Sequence, residues 1–237
     1  MTTADTTPRL LITAGPTYEP IDAVRFIGNR SSGRLGSALA DHAARAGWQV
    51  TLLLGPNAVR PEDKGVEVVR FQSCRDLELL LQDHLPRCDT LVMAAAVADY
   101  RPVPEEIDLD GKRKRKPGEM TIRLEGTPDL LAGCSKNARE DQLLVGFALE
   151  PRDRLIESAQ GKLQRKNIDL IVANPLETMD ADSIEAMLIG NTARGLRLTI
   201  ETPGIITKTD FANWLIEQIT PLCQQRRTLC AGNSTHA

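Results

Sequence analysis

The stretch Asn29-Arg30-Ser31-Ser32-Gly33-Arg34-Leu35-Gly36 lies between an apolar run at residues 10–14 and a helical pattern at residues 35–46. Small residues at the start of a helix leave its first backbone N–H groups accessible. A helix N-terminus that is flanked by arginines is suited to hold an anion. The stretch therefore predicts either a phosphate-binding loop or a capped helix start.

Apolar runs alternate with helical patterns along most of the chain. The predicted strands are residues 10–14, 49–54, 66–71, 90–96, 142–149 and 168–173, and the predicted helices are residues 33–46, 74–85, 127–137, 152–166 and 206–219. We expect Thr127 to cap the third helix, with Pro128 at its first position. Strands of nearly continuous apolar character that alternate with helices indicate an α/β fold with a Rossmann-like, doubly wound, mostly parallel sheet.

Two segments interrupt this alternation. Residues 101–118 lack periodicity and contain five consecutive cations at 112–116, so we expect an inserted, mobile flap. After this flap, the alternating residues 120–124 predict a short strand. The second interruption is residues 183–200, which predict an appended β-hairpin. We predict a single domain over residues 9–224, between a disordered arm at 1–8 and a disordered tail at 225–237.

Composition narrows the possible functions. The net charge of -3 argues against a general polyanion binder, and no apolar run approaches the roughly 18 residues of a membrane span. The three histidines form no metal-binding signature, which argues against a dedicated zinc site. Five cysteines without CxxC spacing favour a reducing cytoplasm.

Ligands of doubly wound sheets bind beyond the carboxyl ends of the strands. The predicted fourth strand ends in a run of small residues, Ala94 to Ala98, which is followed by Asp99. Such a run predicts either close approach of a ligand to the backbone or close packing against a helix. The flap cations predict a solvated loop, closure over a polyphosphate, or, least favoured, contact with nucleic acid. Neither common Gly-rich phosphate motif follows the first strand.

Several stretches together resemble the phosphopantothenoylcysteine synthetases, the ligases of coenzyme A biosynthesis. The matching segments are residues 12–17, 24–34, 95–100, the basic flap, 127–131, 145–150 and 162–174. The resemblance implies that CTP activates the carboxylate of 4′-phosphopantothenate as an acyl-cytidylate and releases pyrophosphate. The amine of L-cysteine then displaces CMP, and Mg²⁺ takes part. A stand-alone bacterial-type form is implied, with decarboxylation left to a separate phosphopantothenoylcysteine decarboxylase.

The resemblance also implies roles for individual residues. The catalytic set is Asn29, Arg25 and Lys112. The substrate contacts are Gly15, Ser31, Ser32, Gly33, Ala95 and Ala96. The nucleotide contacts are Asp99, Lys112, Lys114, Pro128, Asp129, Leu130, Leu131, Phe147, Lys162 and Lys166. No metal ligand is assigned.

Some expectations from the resemblance stay open. The flap departs from the usual Lys-x-Lys-Lys pattern, so its functional lysine is Lys112 or Lys114, and we favour Lys112. ATP would serve the same chemistry as CTP, and we choose CTP because the motifs look bacterial. A cytoplasmic homodimer is implied, with the hairpin at 183–200 as the expected contact. The alternative is a non-catalytic nucleotide- or NAD(P)-binding module, which would require a short Gly-rich turn after the first strand.

Overall fold

The computed structural model describes residues 7–114, 117–179 and 181–233. Its strands are β1 (Arg9–Ala14), β2 (Tyr18–Pro20), β3 (Phe26–Gly28), β4 (Gln49–Leu54), β5 (Glu67–Arg70), β6 (Thr90–Met93), β7 (Tyr100–Pro102), β8 (Leu124–Gly126), β9 (Leu143–Glu150), β10 (Leu170–Pro175), β11 (Ser183–Ile184), β12 (Met187–Gly190), β13 (Thr199–Glu201) and β14 (Ile206–Thr207). Its α-helices are α1 (Arg34–Arg45), α2 (Cys74–His84), α3 (Leu130–Asn137), α4 (Leu155–Lys166) and α5 (Lys208–Asn233).

The central sheet has the order β13-β12-β10-β9-β6-β1-β4-β5. Six neighbouring strands run parallel, in the order β5-β4-β1-β6-β9-β10, and β12 and β13 are added antiparallel at the β10 edge. Among the six parallel strands the order is 3-2-1-4-5-6 when they are numbered along the chain, which is the Rossmann order. The predicted fold class is therefore confirmed.

Both faces of the sheet are covered. In β1, Leu10 and Ile12 point into a core shared with α1 and α5, which includes Phe211. Leu11, between them, points into the second core, which includes Leu77 of α2. Successive strand residues face opposite sides, so a strand that is buried on both faces reads as a continuous apolar run.

The connection from β1 to α1 contains a hairpin that the sequence did not predict. Its strands β2 and β3 are antiparallel, and Tyr18 stacks on Phe26 with ring centroids 3.6 Å apart. The Tyr18 N–H also donates to the Gln72 carbonyl at 2.8 Å, which fastens the hairpin to the main body. Asn29 follows directly after β3, the second strand of this hairpin.

The flap is attached to the body at its base by a two-stranded ribbon of β7 and β8. The short strand expected at 120–124 is instead Leu124–Gly126, because it pairs with Tyr100–Pro102. The flap residues Arg115 and Lys116 lie outside the described residues.

Helix α3 begins later than expected. Asp129, and not Thr127, is its N-cap, and the Asp129 carboxylate accepts a hydrogen bond from the Ala132 N–H at 3.1 Å. The Thr127 hydroxyl instead donates to the Ala98 carbonyl at 2.6 Å. The Thr127 side chain, which the local sequence predicts as the helix cap, is therefore used in a contact with a residue that is distant in sequence.

The carboxyl-terminal part departs from the expected boundaries. The appended hairpin is formed by β12 and β13, whereas Ser183 and Ile184 pair with β14. Helix α5 continues past residue 219 to Asn233, so the tail predicted from 225 is wrong over 225–233. Beyond the proline at 221, Arg226 forms an ion pair with the fully buried carboxylate of Asp169, which anchors the extended helix. Residues 1–6 and 234–237 of the predicted arm and tail lie outside the described residues.

Candidate functional site

The candidate site lies where the strand order reverses, between β1 and β6. Connections that leave neighbouring strands in opposite directions open a crevice at this point of a doubly wound sheet. Here the connection after β1 carries residues 15–33, and the connection after β6 carries Ala94 to Asp99. A bridge between Pro16 and Ala96 joins the two connections beyond the sheet.

Buried hydroxyls hold the small-residue loop after β6 in place. Thr13 accepts from the Ala95 N–H at 3.1 Å, and Thr17 accepts from the Ala98 N–H at 3.0 Å. Both threonines are completely buried. The loop is therefore a fixed backbone surface, as required of a wall that a substrate contacts through main-chain groups.

Asn29 lies on this wall. Its Nδ2 donates to the Val97 carbonyl at 2.9 Å, although the residue itself is exposed. That bond sets the orientation of the carboxamide and leaves its oxygen and its second N–H for a ligand.

One end of the crevice is the start of α1. Gly33 is the N-cap, with a left-handed φ of 69°, and no side chain caps the helix. A side chain at Gly33 would lie 2.6 Å from Ala58, so the tight turn excludes larger residues. Residues 29–36 line a cavity of about 400 Å³ with Ala94 to Val97 on its opposite wall. This geometry presents uncapped backbone N–H groups to an anion.

The other end of the crevice lies between α3 and α4, in a second cavity of about 280 Å³. It is lined by eight of the predicted nucleotide contacts: Asp99, Pro128, Asp129, Leu130, Leu131, Phe147, Lys162 and Lys166. The two cavities share Ala95, Val97, Asp99, Phe147 and Lys162 as common walls. The two cavities therefore adjoin, and Asn29, which lines the first cavity, donates to Val97 of the shared wall.

Both lysines of α4 have carboxylate partners. Lys166 Nζ lies 2.5 Å from the Asp129 carboxylate, and Lys162 Nζ lies 3.8 Å from Glu150. Burial by itself would raise the pKa of Asp129. Hydrogen bonds from Lys166 and from the Ala132 N–H outweigh burial, so the pKa of Asp129 lies below its usual value.

Some predicted site residues lie outside this crevice. Gly15 is buried behind it, where its carbonyl accepts from the Ala96 N–H at 2.9 Å. Lys112 and Lys114 are exposed on the flap. Arg25 points to Asp22 and, through Nη2, donates to the Arg113 carbonyl at 2.6 Å. Neither crevice cavity is lined by these four predicted residues.

The carboxylate of Asp22 is strongly perturbed. Burial raises the pKa of Asp22, but the N–H groups of Val24 and Arg25, the Arg25 guanidinium and the Arg113 N–H all favour the charged form. Together they hold the pKa of Asp22 well below its usual value of 3.8.

Sequence reasoning missed part of the wall near α1. Thr178, Met179, Ile184 and Lys208 line the same cavity as Ser31 and Gly33. Lys208 is the first residue of α5, so a second helix start faces this end of the crevice. No periodic pattern marks these residues, because three of them lie in short segments between β10 and α5 and Lys208 is the first residue of the helix.

Within the described part of the chain, no helix is long and apolar enough to cross a membrane. Over the same residues, no cluster of three or more His, Cys, Asp or Glu side chains could hold a metal ion.

The family model that matches the chain is described as the DNA/pantothenate metabolism flavoprotein C-terminal domain, and the match covers residues 6–222. Two curated relatives are similar over most of the chain. One, from an unknown prokaryotic organism, is named cysteine/cysteine sulfinic acid decarboxylase; it is 48% identical over 169 residues, which are 71% of this chain and 46% of the relative. The other, the coenzyme A biosynthesis bifunctional protein CoaBC of Mycobacterium tuberculosis, is 42% identical over 194 residues, which are 77% of this chain and 46% of the relative.

The chain thus matches less than half the length of either relative. Among solved structures, the C-terminal domain of a coenzyme A biosynthesis bifunctional protein CoaBC is similar with a TM-score of 0.75 and 34% identity. That match covers 92% of this chain and 98% of the solved domain.

Proposed function

The chain belongs to the DNA/pantothenate metabolism flavoprotein C-terminal domain family, and on this premise we propose that it is a phosphopantothenate–cysteine ligase. It joins 4′-phosphopantothenate to L-cysteine in coenzyme A biosynthesis, driven by CTP. The similar C-terminal domain of CoaBC supports the assignment to this part of the pathway.

The observation that carries the proposal is a pair of adjoining cavities, the two ends of the crevice, with chemically different linings. Uncapped N–H groups at the start of α1 suit the 4′-phosphate, and the cations of α4 suit a triphosphate. Asn29 lies beside the junction of the two ends, where the carboxylate of the first substrate would meet the α-phosphorus of the second.

The chemistry needs no protein nucleophile. A carboxylate oxygen of 4′-phosphopantothenate attacks the α-phosphorus of CTP, and the bond to the bridging oxygen breaks so that pyrophosphate leaves with the electron pair. The amine of L-cysteine then attacks the acyl carbon and loses a proton as the bond to CMP breaks. The protein contributes alignment and charge stabilisation, which are effective because the reacting groups are held in place.

The residues of the crevice fit these tasks. The Asn29 carboxamide, oriented by Val97, donates to an acyl oxygen and does not compete as a nucleophile. Lys162 and Lys166 exchange their carboxylate partners for the more highly charged triphosphate. Lys208 and the N-terminus of α1 hold the 4′-phosphate.

The expected Mg²⁺ fits this crevice only as a companion of the nucleotide. Asp99 lies on the wall that the two cavities share, and the described residues form no set of three metal-ligating side chains. Mg²⁺ is commonly held by one or two carboxylates together with substrate phosphates and water, and Asp99 is the residue that would supply the carboxylate. When bound, it would neutralise charge on the phosphates.

Pyrophosphate release tests the proposal. The chain is incubated with 4′-phosphopantothenate, L-cysteine and either CTP or ATP. Parallel reactions omit either 4′-phosphopantothenate or L-cysteine. We expect release with CTP that depends on 4′-phosphopantothenate, and amide product only when L-cysteine is present. Absence of release with both nucleotides would contradict the ligase. The NAD(P)-binding alternative is not favoured, because residues 15–33 separate β1 from α1 where a short Gly-rich turn would be needed.

We also propose a cytoplasmic homodimer. The β12–β13 hairpin supports this proposal, because β13 is the edge strand of the central sheet and edge strands can pair with another chain. Light scattering of the purified chain would measure the molar mass, and a monomer would contradict the dimer.

A further inference from the structure

Asp22 is a buried carboxylate for which the proposed reaction has no use. Its side chain is completely inaccessible to solvent. One oxygen accepts from the Val24 and Arg25 N–H groups at 2.9 and 2.8 Å. The other accepts from Arg25 Nε at 2.9 Å and from the Arg113 N–H at 3.1 Å. A single carboxylate thus joins the β2–β3 connection to the flap, which is far away in sequence.

Further backbone bonds join the same two segments. The Ala23 N–H donates to the Gly111 carbonyl at 3.1 Å, and the Asp108 N–H donates to the Ile21 carbonyl at 3.1 Å. Gly111 and Arg113 flank Lys112, so the backbone of Lys112 is fixed on both sides while its side chain stays exposed.

Arg25 completes the attachment. Its guanidinium bridges the Asp22 carboxylate and the Arg113 carbonyl, so that Arg113 is held through both its N–H and its C=O. The side chain of Arg113 in turn contacts Glu106 at the flap's base. The β2–β3 connection is also the segment that leads through β3 to Asn29.

We propose that Asp22 is a positioning residue, which latches the flap to the β2–β3 connection and thereby sets the place of Lys112 relative to Asn29. The proposal rests on the proposed function for the role of these two residues, but the latch itself does not depend on it. It also distinguishes the flap lysines, because Lys112 lies between two anchored residues and Lys114 follows the last of them.

The latch is tested with Asp22→Asn, which keeps the size of the side chain but loses its charge. Limited trypsin digestion followed by peptide mapping reports cleavage after Lys112, Arg113 and Lys114 in the free protein. We expect about tenfold faster cleavage there in the variant, because cleavage requires local opening that the latch opposes. Asp110→Asn removes an exposed charge from the same flap and is the matched control, with unchanged cleavage.

A second variant tests the same attachment through Arg25, the partner of Asp22. Arg25→Lys keeps a positive charge but cannot bridge Asp22 and the Arg113 carbonyl in the same way, and we expect it to release the flap as well. Thermal unfolding is measured for every variant, so that faster cleavage of a folded flap is separated from global destabilisation.

The rate of pyrophosphate release tests whether attachment of the flap by Asp22 matters for the proposed reaction. With the flap released, we expect kcat for pyrophosphate release to fall about tenfold, with a smaller change in KM for 4′-phosphopantothenate. Unchanged flap cleavage in Asp22→Asn would overturn the latch. Faster cleavage with unchanged turnover would overturn the positioning role. A wild-type chain that releases no pyrophosphate would contradict the proposed function, and the cleavage comparison would still decide the latch.

Discussion

Replacing Gly36 by Ala tests the close packing that positions the start of α1, where we propose that the 4′-phosphate binds. Gly36 is the third residue of α1 and faces the last residue of β1, Ala14. A Cβ added at Gly36 would lie 2.3 Å from the Cβ of Ala14 and 3.3 Å from its Cα. Carbon atoms in ordinary contact are about 3.5–4.0 Å apart, so the methyl group would require the helix start to move by more than about 1 Å.

The expected change in the free energy of unfolding of Gly36→Ala follows from two opposing effects. Overpacking of a tight interface costs about 1–3 kcal/mol, whereas replacing Gly by Ala inside a helix contributes up to about 1 kcal/mol of stability. We expect a net loss of about 1–2 kcal/mol in the free energy of unfolding. For a chain of this length that loss corresponds to a decrease of about 2–8 °C in Tm. Because the N–H groups of α1 move with the helix, KM for 4′-phosphopantothenate should rise about tenfold.

Gly133→Ala is the matched control for this substitution. Gly133 lies in α3, and a Cβ added there would have no atom within 4 Å apart from the neighbouring backbone of its own helix. This variant should be as stable as the wild type or more stable by about 0.4–1 kcal/mol. Thermal unfolding by circular dichroism and initial-rate kinetics measure both effects. If Gly36→Ala is as stable as Gly133→Ala, the inferred close approach of α1 to β1 is wrong.

Three further predictions concern other parts of the chain. Asn29→Asp loses the donor to the Val97 carbonyl and places a carboxylate against it, so kcat for amide formation should fall about 100-fold while Tm changes little; wild-type kinetics would exclude a role for Asn29. Asp169→Asn should lower the free energy of unfolding in urea by about 3 kcal/mol, because Arg226 and its neighbours lose their buried counter-charge; a loss below about 1 kcal/mol would contradict this. Since the pKa of Asp22 is lowered on folding, its contribution is fully present above about pH 4 and is lost as pH falls through the lower folded value. Protection of flap amides from hydrogen exchange, taken relative to their intrinsic exchange rate at each pH, should therefore fall only in acid well below pH 4, and a loss of protection near neutrality would refute the assignment.

Regular elements with strong patterns were predicted well from the sequence. The run from Leu10 to Ala14 is apolar because β1 is buried on both faces, and the period of α1 follows from the single face that it packs on the sheet. Eight of the residues assigned to the nucleotide line one cavity, although they come from the loop after β6, from β9, from the start of α3 and from α4; their contact with a nucleotide stays a prediction. That prediction depended on family motifs, since local spacing gave Lys162 and Lys166 only a common helix face.

Elements that depend on distant partners were missed. The strands β2 and β3 have three residues each, too few for a periodic signal, and are held by the Tyr18–Phe26 stack. The end of the last helix was placed too early because the partner of Arg226 is Asp169, which lies directly before β10 and 57 residues away in the chain. Arg25 was assigned to catalysis from its motif, whereas the structure shows it bound to Asp22 and to the flap.

The sequence by itself determined the parallel α/β framework, the small-residue start of α1 and the family, because these depend on local pattern and on motifs that lie within short segments. Only the tertiary structure decided that the two cavities share a wall beside Asn29, and that the Asp22 carboxylate is hydrogen-bonded to the flap. Both facts depend on contacts between residues far apart in the chain. The partner of a buried carboxylate or of a backbone N–H depends on which distant segments the fold brings together. Hydrophobic periodicity does not predict those pairings, because it reports only which face of an element is buried.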